Sequence, residues 1–174
     1  FNSLTRILIE FVNSIGIDIN RCRTDQRYSN LLKYISGLGP SKAAYIITAI
    51  RNNMQKLHLR SDLITVLHVG PNVFINCSGF LKVSSDIESE DGIEPLDNTR
   101  IHPETYDLAR KLVESVYNLK HPDISTYIEC MVDIMSDSTK IYARSINNLC
   151  SDLNLDNSVH KEITIEGIRT ELSN

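Results

Sequence analysis

Shifting the chain against itself by 31 residues brings two copies of one pattern into register, and no other feature of the sequence limits its fold as tightly. Leu32 falls on Leu63, Ile35 on Val66, Leu38 on Val69, Gly39 on Gly70 and Pro40 on Pro71. Each copy reads as a helix, a tight glycine turn, and a second helix opened by proline at its first position, where the missing N–H costs nothing. Two such hairpins can pack about a pseudo-twofold axis. The repeat ends at Gly79-Phe80-Leu81-Lys82-Val83.

The rest of the chain is patterned for helices. Leu4, Ile7, Leu8, Phe11, Val12 and Ile15 share one helical face, so residues 3–15 read as an amphipathic helix stopped by Gly16. Helical patterns over residues 29–36 and 41–52 flank the first turn. Residues 84–99 are polar, acidic and turn-rich, as a linker is. Beyond them Pro103 opens a helix to about Asn118, with Tyr106, Ala109, Leu112, Val113 and Val116 along one stripe. Ile124, Tyr127, Ile128, Met131, Val132 and Met135 keep the same spacing. A further helix is expected through Tyr142, Ile146, Leu149, Cys150 and Leu153, and a last one from Thr164 as N-cap, carrying Ile165, Ile168 and Leu172. The expectation is an all-α chain: a tandem helix-hairpin-helix domain over residues 1–83, an acidic linker over 84–99, and a four- or five-helix bundle over 100–174.

Composition narrows the function classes. With 174 residues, 41% of them apolar, the chain can bury one core of ordinary size or two small ones. Its longest apolar runs, such as Ala43-Ala44-Tyr45-Ile46-Ile47, fall far short of the roughly 18 residues of a membrane span. No basic flank, apolar core and small-residue cleavage site stand in order at the start, so no signal peptide is expected, and the opening Phe1 reads as a cut from a longer intracellular protein. Cys22, Cys77, Cys130 and Cys150 form no Cys-x-x-Cys pair, which argues against a zinc site or a redox motif and for reduced, mostly buried thiols. The net charge of -4 conceals two opposite halves. Residues 1–83 carry 10 Lys/Arg against 4 Asp/Glu, a net of +6, and residues 84–174 carry 8 against 18, a net of -10. Only the first half suits a polyanion.

The glycine turn supplies the chemistry. Glycines permit positive φ, so Gly37-Leu38-Gly39 can aim its amides outward at the N-terminus of the helix that starts at Pro40. Together with the helix dipole these N–H groups make an anion site of the kind that fits a nucleic-acid phosphate. Lys42 adds a cation in the first turn, with Lys33, Arg51 and Lys56 as auxiliaries. In the second copy His68 replaces the first glycine and Val73 replaces Lys42, which favours a scaffolding role there. The candidate nucleic-acid-binding residues are thus Gly37, Leu38, Gly39, Ser41 and Lys42, with Val69, Gly70 and Asn72 as their counterparts. No catalytic set, metal site or cofactor is expected. Asp62 lies near the distance at which a glycosylase of this motif places its catalytic Asp, but Ser61-Asp62 reads as a helix N-terminus. His102 before Pro103 reads as an N-cap or surface residue.

Four segments also carry a resemblance. Val12-Asn13-Ser14-Ile15-Gly16-Ile17-Asp18-Ile19-Asn20, Gly37-Leu38-Gly39-Pro40-Ser41-Lys42-Ala43, Val73-Phe74-Ile75-Asn76-Cys77-Ser78-Gly79-Phe80-Leu81 and Arg100-Ile101-His102-Pro103-Glu104-Thr105-Tyr106 follow one another in the order seen in Tex-like transcription factors. The chain resembles that family over nearly its whole length, and its eukaryotic branch of elongation factors and histone chaperones most. The resemblance implies a nuclear protein that travels with RNA polymerase II and helps keep nucleosomes in order, so that the polymerase elongation complex and histones become expected partners beside DNA or RNA. It also implies that the C-terminal bundle is death-like. Ser41 stands where a basic residue is common in the family, and His68 where the pattern has glycine. Phosphate contacts through backbone amides carry no base information, so DNA and RNA are not distinguished. A module that docks other transcription proteins without touching nucleic acid remains the alternative.

Overall fold

The first helix stops at Gly16, where the sequence puts the break: in the computed structural model α1 is Ser3–Ile15. The structure describes residues 3–53, 55–84, 94–119, 122–137, 139–142 and 159–173. They belong to two units, Phe1–Arg100 and Ile101–Asn174.

In the first unit the chain leaves α1 through a two-residue strand, β1 (Ile17–Asp18), then forms α2 (Arg21–Thr24) and α3 (Gln26–Ser29). Asp25 starts α3 three residues ahead of the expected helix, because its carboxylate accepts the N–H groups of Arg27 and Tyr28. A 3-10 turn, Asn30–Tyr34, continues it to the first glycine turn. The second helix of that hairpin is α4 (Gly39–Asn52), and the second hairpin is the shorter pair α5 (Asp62–Thr65) and α6 (Pro71–Cys77). The chain then returns as β2 (Leu81–Lys82), pairing in parallel with β1 in the register Ile17 to Leu81 and Asp18 to Lys82.

One apolar core holds these elements together. Leu32 and Leu63, equivalent in the repeat, are both fully buried, as are Ile17, Ile19, Ile46, Leu67 and Leu81. Val66 departs from its counterpart: the two elements end at equivalent positions, Tyr34 and Thr65, but Ile35 is extended and buried whereas Val66 keeps helical backbone and is 42% exposed. The apolar face of α1 is turned largely outward. Val12 is buried, but Leu4, Ile7, Phe11 and Ile15 are all more than half exposed.

Of the acidic stretch 84–99, residues 85–93 lie outside the described residues. Pro95–Asn98 forms a 3-10 turn packed on the first unit, with Leu96, Asp97 and Thr99 buried. The cause is Arg60, only 1% exposed. Its backbone N–H donates to Asp97 Oδ2 at 2.5 Å, and its guanidinium donates to the carbonyls of Asp97 and Thr99 at 3.0 and 2.5 Å.

The described secondary-structure elements of the second unit are all helices, among them α7 (Tyr106–Tyr117), α8 (Ile124–Ser136), α9 (Thr139–Tyr142) and α10 (Val159–Leu172). His102 caps the 3-10 turn Pro103–Thr105 that leads into α7, its Nδ1 accepting the N–H of Glu104. Ala109, Leu112 and Val113 face inward on α7 as the stripe requires. On α8 the buried line is Tyr127, Met131 and Ile134, while Ile124, Val132 and Met135 are exposed. The expected helix through Tyr142 falls outside the described residues after that position. Thr164 lies inside α10, which begins at Val159, since neither glycine nor proline interrupts residues 159–164. Among the described residues no helix is long and apolar enough to cross a membrane, and no group of His, Cys, Asp and Glu is placed to hold a metal.

Candidate nucleic-acid interface

Gly37 and Gly39 both take left-handed backbone, with φ of +88° and +70°. Their surroundings differ. A methyl group on Gly37 would come within 2.7 Å of Asn76 Cβ on α6, whereas one on Gly39 would meet nothing within 4 Å. Gly37 is therefore glycine so that the second hairpin can approach the first, and Gly39 so that the chain can turn into α4 with open space in front of it.

The two hairpins grip each other at equivalent positions. Asn76 on α6 meets the first turn at Gly37, and Tyr45, its counterpart 31 residues earlier on α4, donates its hydroxyl to Leu67 O at the second turn, at 3.2 Å. This reciprocity is the signature of pseudo-twofold packing.

The candidate residues divide into structural and open groups. Leu38 and Val69 are buried, and their amides are spent inside the turns, Leu38 N–H on Ile35 O at 3.2 Å and Val69 N–H on Leu63 O at 2.9 Å. Neither offers a donor to a ligand. Gly39 and Ser41 stand at the start of α4, ahead of its first i→i−4 bonds, where no side chain caps the helix and Pro40 has no N–H to satisfy. Gly39 has open space before it and Ser41 is exposed, both at the positive end of the helix dipole. Lys42 is exposed beside them, its ammonium donating to Gly37 O at 3.3 Å. A cleft of about 510 Å³ between α1 and the turn is lined by Ile9, Lys33, Gly37 and Gly39, which brings Lys33 alongside.

The second turn repeats the shape with different chemistry. His68 adopts positive φ, +54°, at the place of Gly37, so the left-handed step survives without glycine. Gly70 does not follow Gly39: it is extended, with φ -61° and ψ 146°. Asn72 is exposed in the first turn of α6, but Val73, in the position of Lys42, is half-buried against the core. Cys77, at the end of α6, is pushed up to about 11 by burial, against the pull of the nearby Lys42 and Arg60 charges.

Several residues that place the turns were invisible as site residues in the sequence. Asn13 on α1 accepts the N–H of Ser36 at 3.0 Å and donates to Tyr34 O at 3.2 Å, fixing the first turn against α1. Asn20 joins three segments, exchanging bonds with Leu57 N and O and donating to Ser84 O. Asp62, the position a glycosylase-like reading would pick, instead binds the N–H groups of His58 and Leu59 at 2.9 and 3.0 Å at the head of α5.

Comparison with known proteins also finds two parts, with the second beginning within the first structural unit. Residues 1–84 match a family described as a helix-hairpin-helix motif, and residues 94–174 one described as an HHH domain. Transcription elongation factor SPT6 of Drosophila melanogaster is 34% identical over 98% of the chain, and the Suppressor of Ty 6 homolog of Caenorhabditis elegans is also 34% identical over 98%. Transcription elongation factor spt6 of Schizosaccharomyces pombe is 40% identical over 70% of the chain. The chain spans about a tenth of the length of these relatives, between 9% and 11%.

Proposed function

The chain belongs to the Spt6 family, two of whose members compared above, those of Drosophila melanogaster and Schizosaccharomyces pombe, are named as transcription elongation factors, and from that premise we propose that its first unit binds nucleic acid without reading its sequence. The observation that carries this reading is the open face of the first turn, where Gly39 at φ +70° has empty space before it, α4 has no side-chain cap, and Lys42 stands alongside. A phosphate accepts from the Gly39 and Ser41 amides there, and Lys42 adds a salt-dependent contact. Val69, Gly70 and Asn72 serve the architecture, since Gly70 is extended and no lysine stands at position 73. The role is binding and not catalysis, carried out in the nucleus as part of an elongation factor and histone chaperone, with the RNA polymerase II elongation complex and histones as partners of the whole protein. The test is duplex DNA binding by Lys42→Glu at low salt. The variant should bind several-fold more weakly with an unchanged fold, and parent-like binding would refute the assignment of the first turn.

A second reading draws on α1. Leu4, Ile7, Phe11 and Ile15 form an exposed apolar row, and such a row suits a contact with protein. Under that reading the hairpins are scaffold and the parent chain leaves duplex DNA unshifted at low salt.

A further inference from the structure

The first unit carries a second positive surface, and we infer that Arg21, Arg27 and Arg51 hold the phosphate backbone of a nucleic-acid duplex whose near end rests on the turn at Gly39 to Lys42. The inference deepens the binding role proposed for the first hairpin and rests on it. Helix α4 contains no Asp or Glu. It buries Ala43, Ile46 and Ile50, so Ser41, Ala44, Thr48 and Arg51, spaced by three and four residues, share its exposed side. That side is uncharged from Ala44 up to Arg51 and, apart from the half-exposed Tyr45, small; Arg51 lies about 18 Å from the turn at about 1.5 Å per residue. It bears no large aliphatic side chain to anchor a peptide.

At its far end the helix meets α2 and α3. Arg51 bonds the Gln26 side chain and lies 3.4 Å from Ser29 Oγ, which holds its guanidinium against α3, the short helix that also carries the exposed Arg27. The Arg21 guanidinium lies 4.7 Å from the centre of the Tyr28 ring, and that ring is itself fixed, its hydroxyl accepting the Asp18 N–H at 3.0 Å. Among the described residues none of these three arginines is in an ion pair. Asp25, the one carboxylate in residues 21–29, accepts the amides of Arg27 and Tyr28 at 2.8 and 3.1 Å, and those bonds, with the Arg21 and Arg27 charges nearby, hold its carboxyl below the usual range. Three planar, always-charged forks therefore face solvent at one end of a neutral track whose other end is an amide-lined turn. Each DNA strand carries a phosphate about every 3.4 Å of axis, so the track spans about 5 base pairs.

The test compares the full chain with a triple variant, Arg21→Gln, Arg27→Gln and Arg51→Gln, and with Arg6→Gln on α1 as a control cation. Each is titrated with a labelled DNA duplex over a range of salt. The triple variant should lose affinity and flatten the log–log salt slope by about 2 to 3, since each phosphate contact contributes about 0.9, while Arg6→Gln follows the parent. A triple variant that binds like the parent, while Lys42→Glu does not, overturns the arginine assignment and leaves the hairpin standing. A loss of affinity with an unchanged slope overturns it as well, because the arginines then act on the fold. Tighter binding of a polyglutamate peptide than of the duplex at equal salt shows the partner class to be wrong, and a parent chain that binds no duplex removes both assignments at once.

Discussion

Alanine substitution at the two turn glycines separates the hairpin's architecture from its open face. Both residues sit in left-handed backbone, which costs a residue with a Cβ about 1–2 kcal/mol. At Gly39 that is the whole cost, because the added methyl meets nothing within 4 Å. At Gly37 the methyl would stand 2.7 Å from Asn76 Cβ and 3.1 and 3.2 Å from the Asn76 backbone C and O, so α6 must move away from the turn. Overpacking of this kind adds about 1–3 kcal/mol, which brings Gly37→Ala to about 2–5 kcal/mol against about 1–2 for Gly39→Ala. Native-state hydrogen exchange at Ile46 and Ile50 of α4 reads the first unit separately from the second. Gly37→Ala should lower protection there far more than Gly39→Ala, and Asn76→Gly should restore part of the loss by removing the nearest atom. Equal losses in the two single variants, or no coupling to position 76, would show that close approach of the hairpins is not what Gly37 provides.

Three further outcomes follow from the geometry. Val73→Glu should weaken DNA binding less than Lys42→Glu in a salt-matched titration, since no cation is lost there, and the reverse order would mean that the two hairpins have been assigned the wrong way round. Arg60→Leu removes the buried guanidinium that donates to the carbonyls of Asp97 and Thr99, while Asp97 O keeps the Val83 N–H; it should cost about 3 kcal/mol in urea unfolding, and a loss under about 1 kcal/mol would show that this contact does not hold residues 95–99 in place. Burial raises the Cys22 thiol to about 12 and the Cys77 thiol to about 11 from an ordinary 9.0, so the folded state keeps both protonated while the unfolded chain ionises. Their contribution is complete below about pH 9 and is lost as pH rises toward the folded values; unfolding free energy should fall over that range and fall less in a Cys22→Ala, Cys77→Ala variant, and identical slopes for parent and variant would refute the burial argument.

How much of this was legible in the sequence depends on the range of the interaction. The 31-residue repeat and Pro40 and Pro71 fixed the two hairpins, because turn chemistry is local and a proline in the first two helical positions leaves little choice. The reciprocal contact of Tyr45 and Asn76 was encoded at the same offset but carries no local signature. His68 was readable as a missing glycine, yet its residue type did not reveal that the left-handed step would be kept. The acidic stretch 84–99 was harder, since composition describes a linker and says nothing of one carboxylate, Asp97, taken up by a buried arginine 37 residues earlier. Helix α1 was predicted with its correct ends, but the amphipathic pattern could not tell that most of its apolar row would face outward. At the candidate site the glycine motif marked the first turn. It could not separate Leu38 and Val69, whose amides are already bonded within the turns, from Gly39 and Ser41 at the open helix end.

The central claim, that the first unit holds a phosphate backbone without reading bases, is tested most directly by the salt dependence of duplex DNA binding by the full chain on two unrelated sequences. With about 2–4 phosphates engaged, log affinity should fall linearly with log salt at a slope of about -2 to -4, and both sequences should give the same line. Affinity that ignores salt, or that differs many-fold between the two sequences, would contradict it.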